Sequence, residues 1–254
     1  MKRYNLLKII PLFILLSYCG SVNGQQIADT AWQNAKKNIV RYNISGALIF
    51  GFDKYIILGY ERLVTPHQSF SINVGGVKLP KFVSIITDSF QLSQDIKNSG
   101  WNVSADYRFY LKKENKNIAP RGVYIGPYYS YNSFQRENKW DILSRANESL
   151  VTKSKFRIHT FGAELGYQFL FWKKLALDIV MVGPGMSSYW LKAKTDKGVS
   201  EANREQLQDA VRQLIEQKFP GMNYVFADEG FKANGVLSTW DIGYRYMVHL
   251  GYNF

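Results

Sequence analysis

Eight ionisable residues stand at positions where apolar and aromatic residues alternate with polar ones: Arg41, Glu61, Asp106, Arg108, Glu164, Asp178, Asp241 and Arg245. Successive side chains of a strand point to opposite faces. Each charge therefore lies opposite an apolar row; Asp106 and Arg108, for example, interleave with Ala105, Tyr107 and Phe109. Charges of both signs collected on the inner face of a closed sheet are expected to pair, because an unpaired buried charge costs several kcal/mol. Two chemistries follow from such a set. One is an ion-paired plug that holds the interior shut, and the other is a narrow conducting path lined by charge.

Other reactive groups are sparse. The histidines are His67, His159 and His249, and a general base needs a nucleophile and an orienting group beside it. His67 falls in a turn, His249 in the terminal strand near its end, and His159 in a strand beside Arg157 and Thr160. No metal-ligand spacing is present, and Asp228-Glu229 alone is a weak calcium signal. No cofactor motif is found.

The elements that must position these residues begin after a leader. Lys2, Arg3 and Lys8 precede an apolar run from Ile9 to Leu16, and small or polar residues end at Val22-Asn23-Gly24. This is the layout of a secretory signal peptide, with cleavage expected after Gly24. The apolar run is far shorter than the roughly 20 residues of a helical membrane span. Cys19, the sole cysteine, lies within the leader behind Tyr18, which is too large for a lipoprotein signal. The mature chain is thus expected to lack thiol, disulfide and lipid anchor. Loss of the three basic residues lowers a formal net charge of +12 to +9. No finger, basic helix or RNA-binding signature accompanies that charge, so nucleic acid is not the expected partner. Anionic lipid headgroups at the rims fit better.

Aromatic residues are 15% of the chain, and the apolar residues alternate instead of forming blocks, as they do in membrane-spanning strands. Eight such segments are read: about 41–51, 55–62, 69–76, 101–111, 122–134, 156–171, 175–191 and 236 to the end. The first sets Tyr42, Ile44, Leu48 and Phe50 against Arg41, Asn43 and Ser45, and the fourth sets Trp101, Val103, Ala105, Tyr107, Phe109 and Leu111 against Asn102, Ser104, Asp106 and Arg108. Pro127 and Pro184 conflict with a closed ladder and are read as bulges or as strand extending beyond the bilayer.

Connection lengths alternate as well. Residues 63–68, 112–121 and 172–174 make short turns, whereas 77–100, 135–155 and 192–235 make long ones, and only 52–54 breaks the pattern. Short periplasmic turns and long external loops belong to small barrels with both termini in the periplasm. The last long loop carries a helix signal: Ser200 as cap, then Leu207, Ala210, Val211, Leu214, Ile215 and Phe219 before Pro220-Gly221. Its apolar stripe packs on the rim of the sheet or serves as a plug or docking surface. Residues 27–38 form a second short helical candidate. The expected organisation is a signal peptide at 1–24, a periplasmic segment at 25–40 and a barrel at 41–254.

The last strand places Ile242, Tyr244, Tyr246, Val248, Leu250, Tyr252 and Phe254 on one face and Asp241, Arg245 and His249 on the other. It resembles the terminal strand of Gram-negative outer-membrane proteins, in which a final Phe after alternating apolar residues is recognised by the barrel-assembly machinery. With Tyr60-Glu61-Arg62 and Ser69-Phe70-Ser71 at the second and third strands, the chain resembles the uncharacterised porin-like barrels related to the OmpA and OmpW type. The resemblance covers roughly residues 38–254 and carries over no active site. It implies an all-β, eight-stranded antiparallel up-and-down transmembrane barrel with one short helix in its last external loop. It also implies placement in the outer membrane and an assembly signal at Tyr252 and Phe254.

The partners expected are outer-membrane lipids including lipopolysaccharide, the assembly machinery during biogenesis, and a protein at the external loops. The expected role is structural, binding or accessory, without catalysis. A narrow porin for small solutes is the first alternative. A lipid A-modifying enzyme is the second, since some small barrels use a His with a Ser and a carboxylate; the surroundings of His159 do not reproduce their His-x-Ser arrangement.

Overall fold

The computed structural model describes residues 32–33, 35–78, 90–115, 118–142, 149–195 and 236–254. The leader, the helix expected at 200–221 and Asp228-Glu229 lie outside the described residues, as does half of the 27–38 segment. The chain divides into two units, Met1–Ala35 and Lys36–Phe254. The second carries β1 (Asn38–Asn43), α1 (Ile44–Phe50), β2 (Tyr55–Thr65), β3 (Gln68–Val77), β4 (Phe90–Tyr110) and β5 (Gly122–Ile142). After these come β6 (Ser149–Phe171), β7 (Leu175–Val182), β8 (Pro184–Thr195), β9 (Val236–Tyr244) and β10 (Met247–Asn253).

Every pairing is antiparallel, and the pairings return to their start. Each strand from β1 to β6 pairs with the next, β6 pairs with β7, β7 with β10, and β10 with β1. β8 and β9 continue the wall beside β6. The last joint is made by the chain's end: Phe254 N–H donates to Asn38 O at 2.8 Å and Asn38 N–H returns to Phe254 O at 3.1 Å. A ring satisfies the backbone groups that an open edge would leave exposed. One hairpin uses the turn that strand twist favours. Between β6 and β7, Trp172 and Lys173 both have positive φ, 49° and 58°, as in a type I′ turn.

The alternation runs opposite to that of a water-soluble sheet. On β3, Ser69, Ser71 and Asn73 are buried while Phe70, Ile72 and Val74 are exposed. On β2, Glu61 is buried between outward Tyr60 and Arg62, and Ile56, Leu58 and Val64 are about half exposed. Outward apolar residues continue around the ring through Val40, Trp101, Ile125, Phe161, Ile242 and Leu250. At the end where Asn38 meets Phe254, the interior is closed by Ile39, Leu63 and Ala176, with Ala119 folded under, its N–H bonded to Pro66 O at 2.8 Å.

The structure departs from the sequence reading in four places. The first strand stops at Asn43, whose side chain accepts from Gly46 N–H at 3.2 Å and caps α1. A short apolar run does not distinguish strand from helix by periodicity, and the capping oxygen decides it. Gly51, at φ 101°, ends the helix. Second, β4, β5, β6 and β8 extend well into the stretches read as external loops, pairing as far as Phe90 with Ile142 and Thr152 with Thr195. Beyond the apolar band both faces are polar, as at Gln135, Arg136, Glu137 and Lys153, so the period fades while the ladder continues. Third, the terminal strand is broken at Arg245-Tyr246, opposite a break at Gly183, and Arg245 N–H donates to Gly183 O at 2.8 Å. Fourth, only Pro184 adjoins a register shift, between Leu165 and Gly166 on β6. Pro127 keeps its register with Ala163 and instead interrupts the β4 ladder between Asp106 and Phe109.

Candidate functional site: a buried charge network

Seven of the eight charged residues meet inside the ring. Arg41 on β1 donates from Nη1 to Asp178 Oδ2 at 3.1 Å, from Nη2 to Ser71 Oγ at 2.6 Å and from Nε to Asn73 Oδ1 at 3.1 Å. Arg108 on β4 donates from Nε to Asp106 Oδ1 at 2.6 Å, from Nη2 to Asp178 Oδ2 at 2.9 Å and from Nη1 to Gln168 Oε1 at 3.1 Å. Its guanidinium lies 4.3 Å from the centre of the Tyr124 ring. Glu61 accepts from Ser69, Tyr110 and Gln168 at 2.6, 3.0 and 3.2 Å. Asp178 on β7 is the hub: it also accepts from Tyr124 OH at 2.6 Å and meets His249 Nδ1 at 3.1 Å. All are almost wholly buried, so the hydrogen bonds must replace the solvation that each charge has lost.

Arg245 forms the far layer. It sits 3.5 Å from Glu164 and 3.6 Å from Asp106, with its guanidinium 4.8 Å from the centre of the Tyr128 ring. Neither oxygen of Glu164 has a hydrogen-bond partner among the described residues. Four carboxylates thus face three guanidiniums, one carboxylate in excess.

Asp241 does not join it. Half-buried on β9, it accepts from the neighbouring Ile242 N–H at 2.6 Å, and it lies four residues along the strand from Arg245, roughly 13 Å. His249, near the end of the terminal strand, lies fully buried against Asp178. Gln168, Tyr110, Tyr124, Ser69, Ser71 and Asn73 complete the network. Tyr110 and Gln168 share their strand faces with Asp106 and Arg108 and with Glu164, whereas β3 carries no charge and Ser69, Ser71 and Asn73 are marked only by their alternation with Phe70, Ile72 and Val74.

Close packing fixes these contacts. A Cβ at Gly59 would collide with the Asn73 side chain and lie 2.9 Å from Arg41 Cγ. Gly59→Ala is therefore expected to lower stability by about 1–3 kcal/mol, the cost of overpacking, as a reduced urea midpoint with unchanged slope. A midpoint equal to the parent's would show that Arg41 is not held by this contact.

The remaining histidines stand apart. His67 lies in the turn between β2 and β3, where partial burial and the neighbouring Lys112 hold its imidazole below the usual range. His159 faces outward, its Nδ1 2.8 Å from Tyr129 OH and its ring against Tyr131. Ser188 is its cross-strand partner, yet the imidazole bonds to tyrosine and not to serine. Tyr252 and Phe254 are both outward, their rings stacked at 6.4 Å. Among the described residues no group of three or more His, Cys, Asp or Glu is arranged to hold a metal. No family model matches the chain, and no curated protein matches it.

Proposed function

We propose that this chain is an outer-membrane β-barrel with a structural, binding or accessory role and no catalysis, its lumen closed by the charge network. Counting β7 with β8 and β9 with β10 as single interrupted strands makes the barrel eight-stranded, a size at which side chains just fill the interior. The observation that carries the reading is the inverted distribution of side chains. Apolar residues cover the outside of the ring while Arg41, Glu61, Asp106, Arg108 and Asp178 are buried within, the arrangement a bilayer rewards and water does not. Both termini lie in the periplasm, and lipids of the outer membrane are the immediate partners.

A cavity of roughly 210 Å3 above the network favours a second reading, passage or binding of a small polar solute. It is lined by Asn102, Ser130, Asn132, Thr160 and Arg245 among others. Planar-bilayer recording separates the two. The plugged barrel inserts and stays electrically silent, whereas discrete, reproducible conductance steps from purified protein defeat the plugged reading in favour of the channel.

A further inference from the structure

We propose that the outward notch between β2, β3 and β4 seats a phosphorylated glycolipid of the outer leaflet, with an acyl chain in the notch and its phosphate on Lys54 and Lys78. The inference rests on the membrane reading above. The notch arises because a glycine stands where the outward row should carry a side chain. Ile56 pairs with Gly76 and Leu58 with Val74, and the nearest atom to a Cβ built on Gly76 is Gly100 O, at 4.0 Å. The result is a cavity of about 510 Å3 walled by Ile56, Leu58 and Val74, within the roughly 300–1,000 Å3 of small-ligand sites.

Charge at its edge identifies the occupant. Lys54, just before β2, and Lys78, just after β3, adjoin, Lys78 N–H donating to Lys54 O at 2.7 Å, and both border the cavity together with Asp53. Neither ammonium forms an ion pair among the described residues. Two lysines side by side above an apolar slot match a phosphate joined to an acyl chain. The neighbouring α1 and the turn after it expose Leu48, Ile49 and Phe52, an apolar shelf at the same end of the ring. That end is opposite Asn38 and Phe254. With the termini periplasmic it reaches the outer leaflet, where the anionic lipid is a phosphorylated glycolipid and not a phosphatidylglycerol.

The test uses the full chain in phosphatidylcholine nanodiscs doped with lipid A, dephosphorylated lipid A or phosphatidylglycerol, with bound lipid counted by native mass spectrometry. The parent should retain lipid A above both other probes. Lys54→Ala and Lys78→Ala should each weaken retention by roughly fivefold, the equivalent of about 1 kcal/mol per basic residue. Gly76→Leu, which fills the notch from an exposed position, should weaken lipid A and dephosphorylated lipid A alike. Equal retention of lipid A and phosphatidylglycerol, or variants that bind as the parent does, overturns the glycolipid site while leaving the barrel standing. A chain that does not enter the nanodisc overturns the membrane reading and this inference with it.

Discussion

Asp178→Ala should destabilise the protein by about 3–5 kcal/mol, the cost of removing one partner from a buried charge cluster. Asp178 Oδ2 takes hydrogen bonds from Arg41 and Arg108 and meets His249, while Oδ1 takes the Tyr124 hydroxyl. Truncation leaves two buried guanidiniums short of an acceptor, and the site is too enclosed for bulk water to replace it. Glu164→Gln makes the informative contrast. It also removes one carboxylate, but from a residue whose oxygens accept no hydrogen bond among the described residues, and it equalises the counts of carboxylate and guanidinium. Its cost should stay within about 1 kcal/mol, the scale of a single net hydrogen bond. Urea titration of the lipid-reconstituted protein, followed by tryptophan fluorescence, measures both. Equal losses in the two variants would mean that net charge, not hydrogen-bond geometry, holds the cluster together.

Ile72→Arg carries the next largest expectation. Ile72 lies at the middle of β3, 43% exposed, between buried Ser71 and Asn73. An arginine on the lipid face near the bilayer midplane of a barrel costs roughly 2–4 kcal/mol. On a water-facing surface the same change usually stays within about 0.5 kcal/mol. The same titration in vesicles and the insertion yield therefore read the solvent of this face directly. A change below about 0.5 kcal/mol is incompatible with burial in lipid.

Much of the fold was legible because strand alternation is a local property. Phe70, Ile72 and Val74 against Ser69, Ser71 and Asn73 require nothing beyond a period of two; β3 falls where that period places it, and β2 and the 156–171 part of β6 contain the segments it marks. The short turn at Trp172-Lys173 was legible for the same reason. Local signals failed where they conflicted or faded. Ile44–Phe50 is as apolar as a strand, and Asn43 turned it into a helix. The upper reaches of β4 and β5 interrupt their apolar residues with polar runs such as Gln135–Lys139, so backbone pairing shows them to be strand.

By itself, the amino-acid sequence determined which face of each strand a residue occupies, and so which charges would share the interior. It did so because a strand's geometry is set by its own backbone. Only the tertiary structure decided how high around the ring each residue stands, since register belongs to pairs of strands and not to either one. That height brings His249 to Asp178, leaves Asp241 above the cluster and makes one aspartate on β7 the common partner of two arginines from distant parts of the chain.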